Sequence, residues 1–358
     1  MFDVTTDTFA VLNGTTSNTE FNGTDTTWKD ANTAGCTYWV CNVIVVIIGV
    51  VGNSMVLLLM GDVKFVSFSY PVYLRFLAVS DSVVLIMLCV RETTRRFQST
   101  YLIGTNLQVC ALSKFVKDTV TLLSPWLVVG LTVDRFFCVV FPMKRGRICT
   151  RTKATIACSC LTILSVLTMF PLLGGAKILV ESEVCFVKDT FVVYFTFIRL
   201  ILTASLPCLL ILVFNIVIGI HIQRSVTFRK RFTSTSSGSR ENKQDRSLRP
   251  LMLISILAFV TLLPLSIVES CALILLATNS DIKVLKIIAE LWSPFNILNL
   301  VNFGQNFYIL MSSSANYRDI MKRKLRCIKI RKQHERTRVA RISMNVQAPA
   351  YCTRNTTV

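Results

Sequence analysis

The sequence predicts an all-α membrane protein: a seven-transmembrane helix bundle with a short amphipathic eighth helix. Three observations point there. Hydrophobic residues make up 52% of the chain and charged residues only 16%, against about 25% charged in a soluble protein. The apolar residues gather in seven stretches, each long enough for the roughly 20 helical residues that cross a hydrocarbon core of about 30 Å. The net charge of +19, from 39 Lys+Arg against 20 Asp+Glu, is confined to segments on one side of those stretches. A length of 358 residues would accommodate two soluble domains, but this composition argues against them.

The stretches run over 38–61, 70–90, 108–140, 153–175, 190–221, 249–277 and 285–311. Pro125, Pro207, Pro264 and Pro294 lie inside them. Within a bundle, neighbouring helices can satisfy the backbone groups that a proline frees. The chain has no internal repeat, which weighs against an inverted-repeat transporter. The domain reading is an extracellular glycosylated N-terminus over 1–37, a membrane domain over 38–311, an amphipathic helix over 312–327 and a cytoplasmic tail over 328–358.

An odd number of spans puts the termini on opposite sides. Residues 1–37 carry two glycosylation sequons, at Asn13 and Asn22. Such triplets also arise by chance in Asn/Thr-rich text. Residues 1–20 lack the apolar core of a cleavable signal, so the first span is expected to act as its own insertion signal. Charge sets the orientation. Segments 62–69, 141–153, 221–250 and 312–358 hold 26 Lys/Arg, and segments 1–37, 91–107, 176–189 and 278–286 hold 8. The positive-inside rule then leaves the N-terminus outside. The basic excess orients the chain and meets anionic lipid, so nucleic acid is not needed to explain it.

Most of the 13 cysteines lie inside spans, where they act as small apolar residues. Cys110 and Cys185 stand at the outer edge, in an oxidising compartment, and a disulfide between them is expected. With no CxxC pair of metal-type spacing and only two histidines, His221 and His334, a zinc site is not expected.

The landmarks along the spans form an ordered set. Span one carries Gly52-Asn53, span two Leu77-Ala78-Val79-Ser80-Asp81, and span three opens with Cys110 and closes with Asp134-Arg135-Phe136. Phe141-Pro142 follows; span five carries Pro207 and span six Pro264. Span seven carries Asn302 and Asn306-Phe307-Tyr308-Ile309-Leu310, before Tyr317-Arg318. On these residues the chain resembles the rhodopsin-like (class A) G-protein-coupled receptors over roughly 38–326. It departs from their pattern in several places. The span-four Trp is missing, and Thr261-Leu262-Leu263-Pro264 stands for Cys-Trp-x-Pro. Leu310 stands for the tyrosine of Asn-Pro-x-x-Tyr, with Tyr308 about 160° from it around the helix. Asn215 replaces the usual span-five Tyr.

The resemblance implies roles for the polar residues. Asp81, with Ser124, Asn302 and Asn306 around it and Asn53 nearby, corresponds to the family's sodium pocket, where hard oxygens suit a small hard cation. The alternative is a structural hydrogen-bond network. Asp134, Arg135 and Phe136 correspond to the G-protein-coupling motif, in which the arginine is held at rest and released when the helices shift. The acid that often holds it from span six is replaced by Gln244, with Asp245 beside it, which implies a weak lock there.

The outer pocket bears on ligand class. Lys117 stands where amine receptors place a carboxylate, and Leu300 where opsins place a lysine, so neither a monoamine nor retinal is implied. Arg91, Glu92, Lys117, Asp118, Arg199, Glu269 and Glu290 line the pocket with both signs of charge. That suits a peptide, as in neuropeptide receptors, the invertebrate FMRFamide-like set included. The same charges could also pair with one another or snorkel. A chemosensory receptor for a small non-amine ligand and a seven-helix transporter or channel are the competing readings.

On the cytoplasmic side, residues 222–248 form a basic, Ser-rich loop suited to phosphorylation, with arrestin and a receptor kinase as implied partners. Residues 312–327 read as a helix on anionic lipid, with Cys327 a candidate palmitoylation site. The terminal Thr356-Thr357-Val358 fits capture by a PDZ domain. No phosphate loop, metal cluster or nucleophile set suggests an enzyme, and the one cofactor implied is the allosteric sodium ion.

Overall fold

A computed structural model describes residues 26–97, 106–179, 184–232, 242–277 and 282–346. The sequons at Asn13 and Asn22, the Ser/Thr run 233–239 and the terminal Thr-Thr-Val lie outside them. Among the described residues the chain is helical apart from one two-stranded sheet. Its helices are α1 (Thr26–Met60), α2 (Tyr70–Phe97), α3 (Leu107–Val140) and α4 (Arg151–Met169). The fifth, α5, runs unbroken through Asp189–Phe197, a π-helical stretch Ile198–Ser205 and Leu206–Phe232. Then come α6 (Asn242–Ala277), α7 (Ile282–Gly304, continued by Asn306–Ser313) and α8 (Ala315–Val346).

Among the described residues six helices are long and apolar enough to cross a membrane, including Cys36–Met60, Leu107–Val140 and Val193–Arg224. Their outer faces expose apolar side chains such as Ile47, Ile163, Leu167 and Val213, as lipid contact requires and water would not tolerate in such number. The protein is therefore a multi-pass membrane protein. The inward faces meet in a core built around Val46, Val84, Leu85, Leu300 and Phe303.

Several helices outrun their apolar stretches. Residues 222–232 and 242–248, expected to be loop, are helical, as are 91–97. An apolar window marks only the part in lipid, while Arg, Lys and Gln extend a helix readily. The amphipathic helix was expected to end at residue 327, but α8 runs on to Val346. No Gly or Pro interrupts 315–346. Ser314–Val358 forms a compact unit of its own.

Caps fix the ends. Asn106 accepts from the Gln108 amide at 2.9 Å to start α3, and Thr150 accepts from the Lys153 amide at 3.4 Å to start α4. Arg75 of α2 donates to the Met60 carbonyl at 2.6 Å, closing α1. Between α4 and α5 lies a hairpin missed by the sequence reading: β1 (Ala176–Leu179) pairs antiparallel with β2 (Val184–Val187), Ile178 opposite Cys185. The short apolar run Val184-Cys185-Phe186-Val187 carried the signal.

The π stretch in α5 has a local cause. The Leu206 amide bonds to the Ile201 carbonyl five residues back. In that register the Leu202 carbonyl would take the amide of residue 207, which is proline and has none. The Trp126 indole of α3 donates to that carbonyl instead, at 2.9 Å.

Candidate functional site: three polar clusters along the bundle

At the end of α3 near Val140, Asp134 and Arg135 form a buried ion pair. The pair is not left to itself. The Ser69 hydroxyl donates to Asp134 Oδ2 at 2.8 Å, Arg135 Nη2 reaches Ser69 Oγ at 3.3 Å, and the guanidinium lies 5.0 Å from the centre of the Tyr70 ring. A buried charge needs such partners, since losing one leaves the other uncompensated. The holding groups come from the start of α2. Gln244 and Asp245, the implied span-six partners, have side chains outside the described residues. Phe136 turns toward α5, its ring 5.2 Å from Phe214 edge-on, so it contributes packing between α3 and α5. Beside it Ser255 of α6 donates to Asn215 Oδ1 of α5 at 3.0 Å. The Asn that replaces tyrosine thus ties α5 to α6.

In mid-bundle Asp81 is 1% exposed. Ser124 donates to its Oδ1 at 2.5 Å and Asn306 Nδ2 to its Oδ2 at 3.0 Å. Asn302 of α7 is also buried, and its side-chain oxygen accepts from Gln305 at 3.1 Å. Asn53 Nδ2 donates at 2.9 Å to the Phe303 carbonyl, close to the break in α7 at Gln305, while Asn53 Oδ1 is buried with no hydrogen-bond partner. A buried carboxylate with a hydroxyl oxygen on it has the donor chemistry of a small hard cation site. Leu262 and Leu310, which replace the family's aromatic switches, are both buried. Tyr308 does not take their place. Its hydroxyl donates outward to the Ile48 carbonyl of α1 at 3.0 Å, and its ring is exposed.

The outer ends carry the third cluster. Lys117 pairs with Asp118 at 3.3 Å, and Arg91 with Glu92 at 3.0 Å. Lys114, Lys117 and Glu92 are buried. Lys114 and Arg199 lie within electrostatic reach of the Lys117–Asp118 pair, and Arg91 within reach of Lys117. The structure thus brings Arg91, Glu92, Lys117, Asp118 and Arg199 into one charged region. The side chains of Glu269 and Glu290 lie outside the described residues. Cys110, fully buried, is disulfide-bonded. It packs against Ala176 and Ile178 of β1, and Ile178 faces Cys185 across the hairpin; the Cys185 side chain itself lies outside the described residues. Cys36, Cys271 and Cys327 are exposed free thiols.

Comparison with known proteins bears on these clusters. The family described as 7 transmembrane receptor (rhodopsin family) matches residues 52–306, a stretch that begins at the Gly52-Asn53 pair and ends at Asn306. A Caenorhabditis elegans protein described as "Probable G-protein coupled receptor" is 24% identical over 303 residues, covering 79% of this chain and 68% of that protein.

Proposed function

The chain belongs to the rhodopsin family of seven-transmembrane receptors, and from that premise we propose that it is a plasma-membrane receptor for an extracellular peptide that activates a heterotrimeric G protein. The observation that carries the coupling half is the Asp134–Arg135 pair, buried and held by Ser69 and Tyr70. A charge held in this way is released only if the helices move. Agonist binding favours the state with the inner ends of α5 and α6 apart, in which Arg135 meets the G protein. By linkage, G-protein binding raises agonist affinity by the same factor.

The peptide half rests on the mixed charge at the outer ends of α2, α3 and α5, extended by Glu269 and Glu290. A peptide offers both signs and a terminus to such a set. Lys117 repels an ammonium, which argues against an amine. In this reading α7 supplies the seventh crossing, the N-terminus is outside with glycans on Asn13 and Asn22, and Cys185 is the partner of Cys110. A sodium ion would be held by Asp81, Ser124, Asn302 and Asn306. When bound it supplies a positive charge opposite the Asp81 carboxylate. Arrestin and a receptor kinase act on the inner loop and tail, Cys327 is palmitoylated, and the last three residues recruit a PDZ protein.

A second-messenger screen of receptor-expressing cells against a peptide library tests this reading. Responses to peptides support it. Responses to amines or other small molecules but not peptides overturn the ligand assignment in favour of a chemosensory receptor, and solute flux without signalling overturns the receptor assignment in favour of a transporter.

A further inference from the structure

Cys138 and Cys149, two thiols that the receptor reading does not use, form a cluster of donor atoms with Asp134. Cys138 stands one turn after Asp134 on α3, so the two side chains share a face. Cys149 returns to that face because the chain past Phe141 makes a one-turn helix, Arg145–Ile148, and the Cys149 amide closes it onto the Arg145 carbonyl at 2.9 Å. The two sulfurs lie 3.0 Å apart, and Cys149 Sγ sits 3.6 Å from the Asp134 carbonyl. Both sulfurs and a carboxylate oxygen of Asp134 lie within 4.8 Å of one another. Cys138 is buried and Cys149 half-buried, so the cluster has an inner wall and an open side.

We propose that Cys138, Cys149 and Asp134 bind a divalent metal ion of the zinc class, with water as the fourth ligand. Two thiolates and a carboxylate are ligands that zinc takes in tetrahedral geometry, at about 2.3 Å to sulfur and about 2.0–2.2 Å to oxygen. A tetrahedron at those lengths sets its sulfurs about 3.7 Å apart, so the pair must open by about 0.7 Å. Cys149 provides the movement, because it stands in a short surface segment and not in a packed helix. Each thiol loses its proton on binding, so two protons leave for one divalent ion and the net charge is unchanged. Arg135 is the cation facing the cluster, already paired with Asp134. The ion therefore shares Asp134 with Arg135, which links metal binding to the group proposed to meet the G protein.

The test uses the purified full-length receptor in lipid nanodiscs, kept reduced with a phosphine. Cobalt(II) is the probe, read by its thiolate charge-transfer absorption and displaced by zinc. The expected result is a component of one cobalt per receptor, lost in Cys138→Ser and in Cys149→Ser and kept in Cys160→Ser, whose thiol is exposed elsewhere on α4. Alkylation mapped by mass spectrometry on the unmutated protein decides the matter even if a variant fails to fold. Zinc should protect Cys149 at least about tenfold and leave the exposed Cys327 unchanged. A band retained in both variants, equal alkylation of Cys149 with and without zinc, or recovery of Cys138 and Cys149 as a disulfide from the reduced preparation would each overturn the site.

Discussion

The Trp126 indole and the Leu202 carbonyl are joined across α3 and α5 by a 2.9 Å hydrogen bond, and that carbonyl is the one that Pro207 leaves without an amide. The π-helical stretch is thus completed by a side chain from another helix. Around it Leu122, Met169, Leu172, Phe195 and Ile198 form a buried cluster, so water has no easy access to the carbonyl. Trp126→Phe keeps the ring and removes the donor. The expected loss is about 1–3 kcal/mol, the cost of an orphaned buried acceptor, seen as a lower unfolding temperature of the purified receptor. Pro207→Ala restores an amide in the right register. The double variant should recover part of the loss, and strict additivity would show that the two sites are independent.

Gly49 and Gly304 bring α1 and α7 backbone to backbone. A Cβ on Gly304 would stand 2.7 Å from the Gly49 Cα, so the helices must part to admit it. Gly304→Ala should cost about 1–3 kcal/mol, the range for overpacking, and should lower the yield of folded receptor in a fluorescence-detected size-exclusion assay. Gly219→Ala is the matched control, because a Cβ there meets nothing within 4 Å.

Ser69→Ala should raise signalling in the absence of ligand. It removes the hydroxyl that donates to Asp134 and accepts from Arg135, while leaving both charges in place. A hydrogen bond lost from the resting state alone is worth about 1 kcal/mol, or about a fivefold shift in the resting-to-active ratio. Basal second-messenger output, normalised to surface receptor, measures it. Unchanged output would mean that Ser69 is held equally in both states.

Asp81→Asn should abolish sodium dependence of agonist affinity. The change keeps the side chain's size and removes the charge that a cation needs. Competition binding in sodium against a large organic cation reads the effect. If the unmutated receptor shows no sodium dependence, the polar cluster at Asp81 is a structural network.

Six of the seven expected membrane spans were legible in the sequence because about twenty largely apolar residues in succession have few other uses. The hidden parts depended on partners distant in the chain. Nothing in the sequence near Asp134 announces Ser69, 65 residues earlier, as the group that holds it. Lys117 and Asp118, read as part of a pocket rim, do meet each other, as adjacent opposite charges in a low-dielectric region tend to. Tyr308, which the sequence left as a partial stand-in for the switch tyrosine, is turned out of the interior and bonds to Ile48. The Asp134–Cys138–Cys149 cluster was invisible to a search for closely spaced cysteine pairs, because its two thiols are 11 residues apart and are brought together only by the turn after Phe141. The strands Ala176–Leu179 and Val184–Val187 are only four residues each, too short for their pairing to stand out between two long apolar spans.

Nucleotide exchange on a purified heterotrimeric G protein, catalysed by the receptor in nanodiscs with an activating peptide from the library screen, tests the central claim most directly. Unmutated receptor should accelerate exchange on addition of that peptide. Arg135→Ala should still bind the peptide and lose the acceleration. Exchange by Arg135→Ala at the unmutated rate would contradict the claim that the signal leaves the bundle through Arg135.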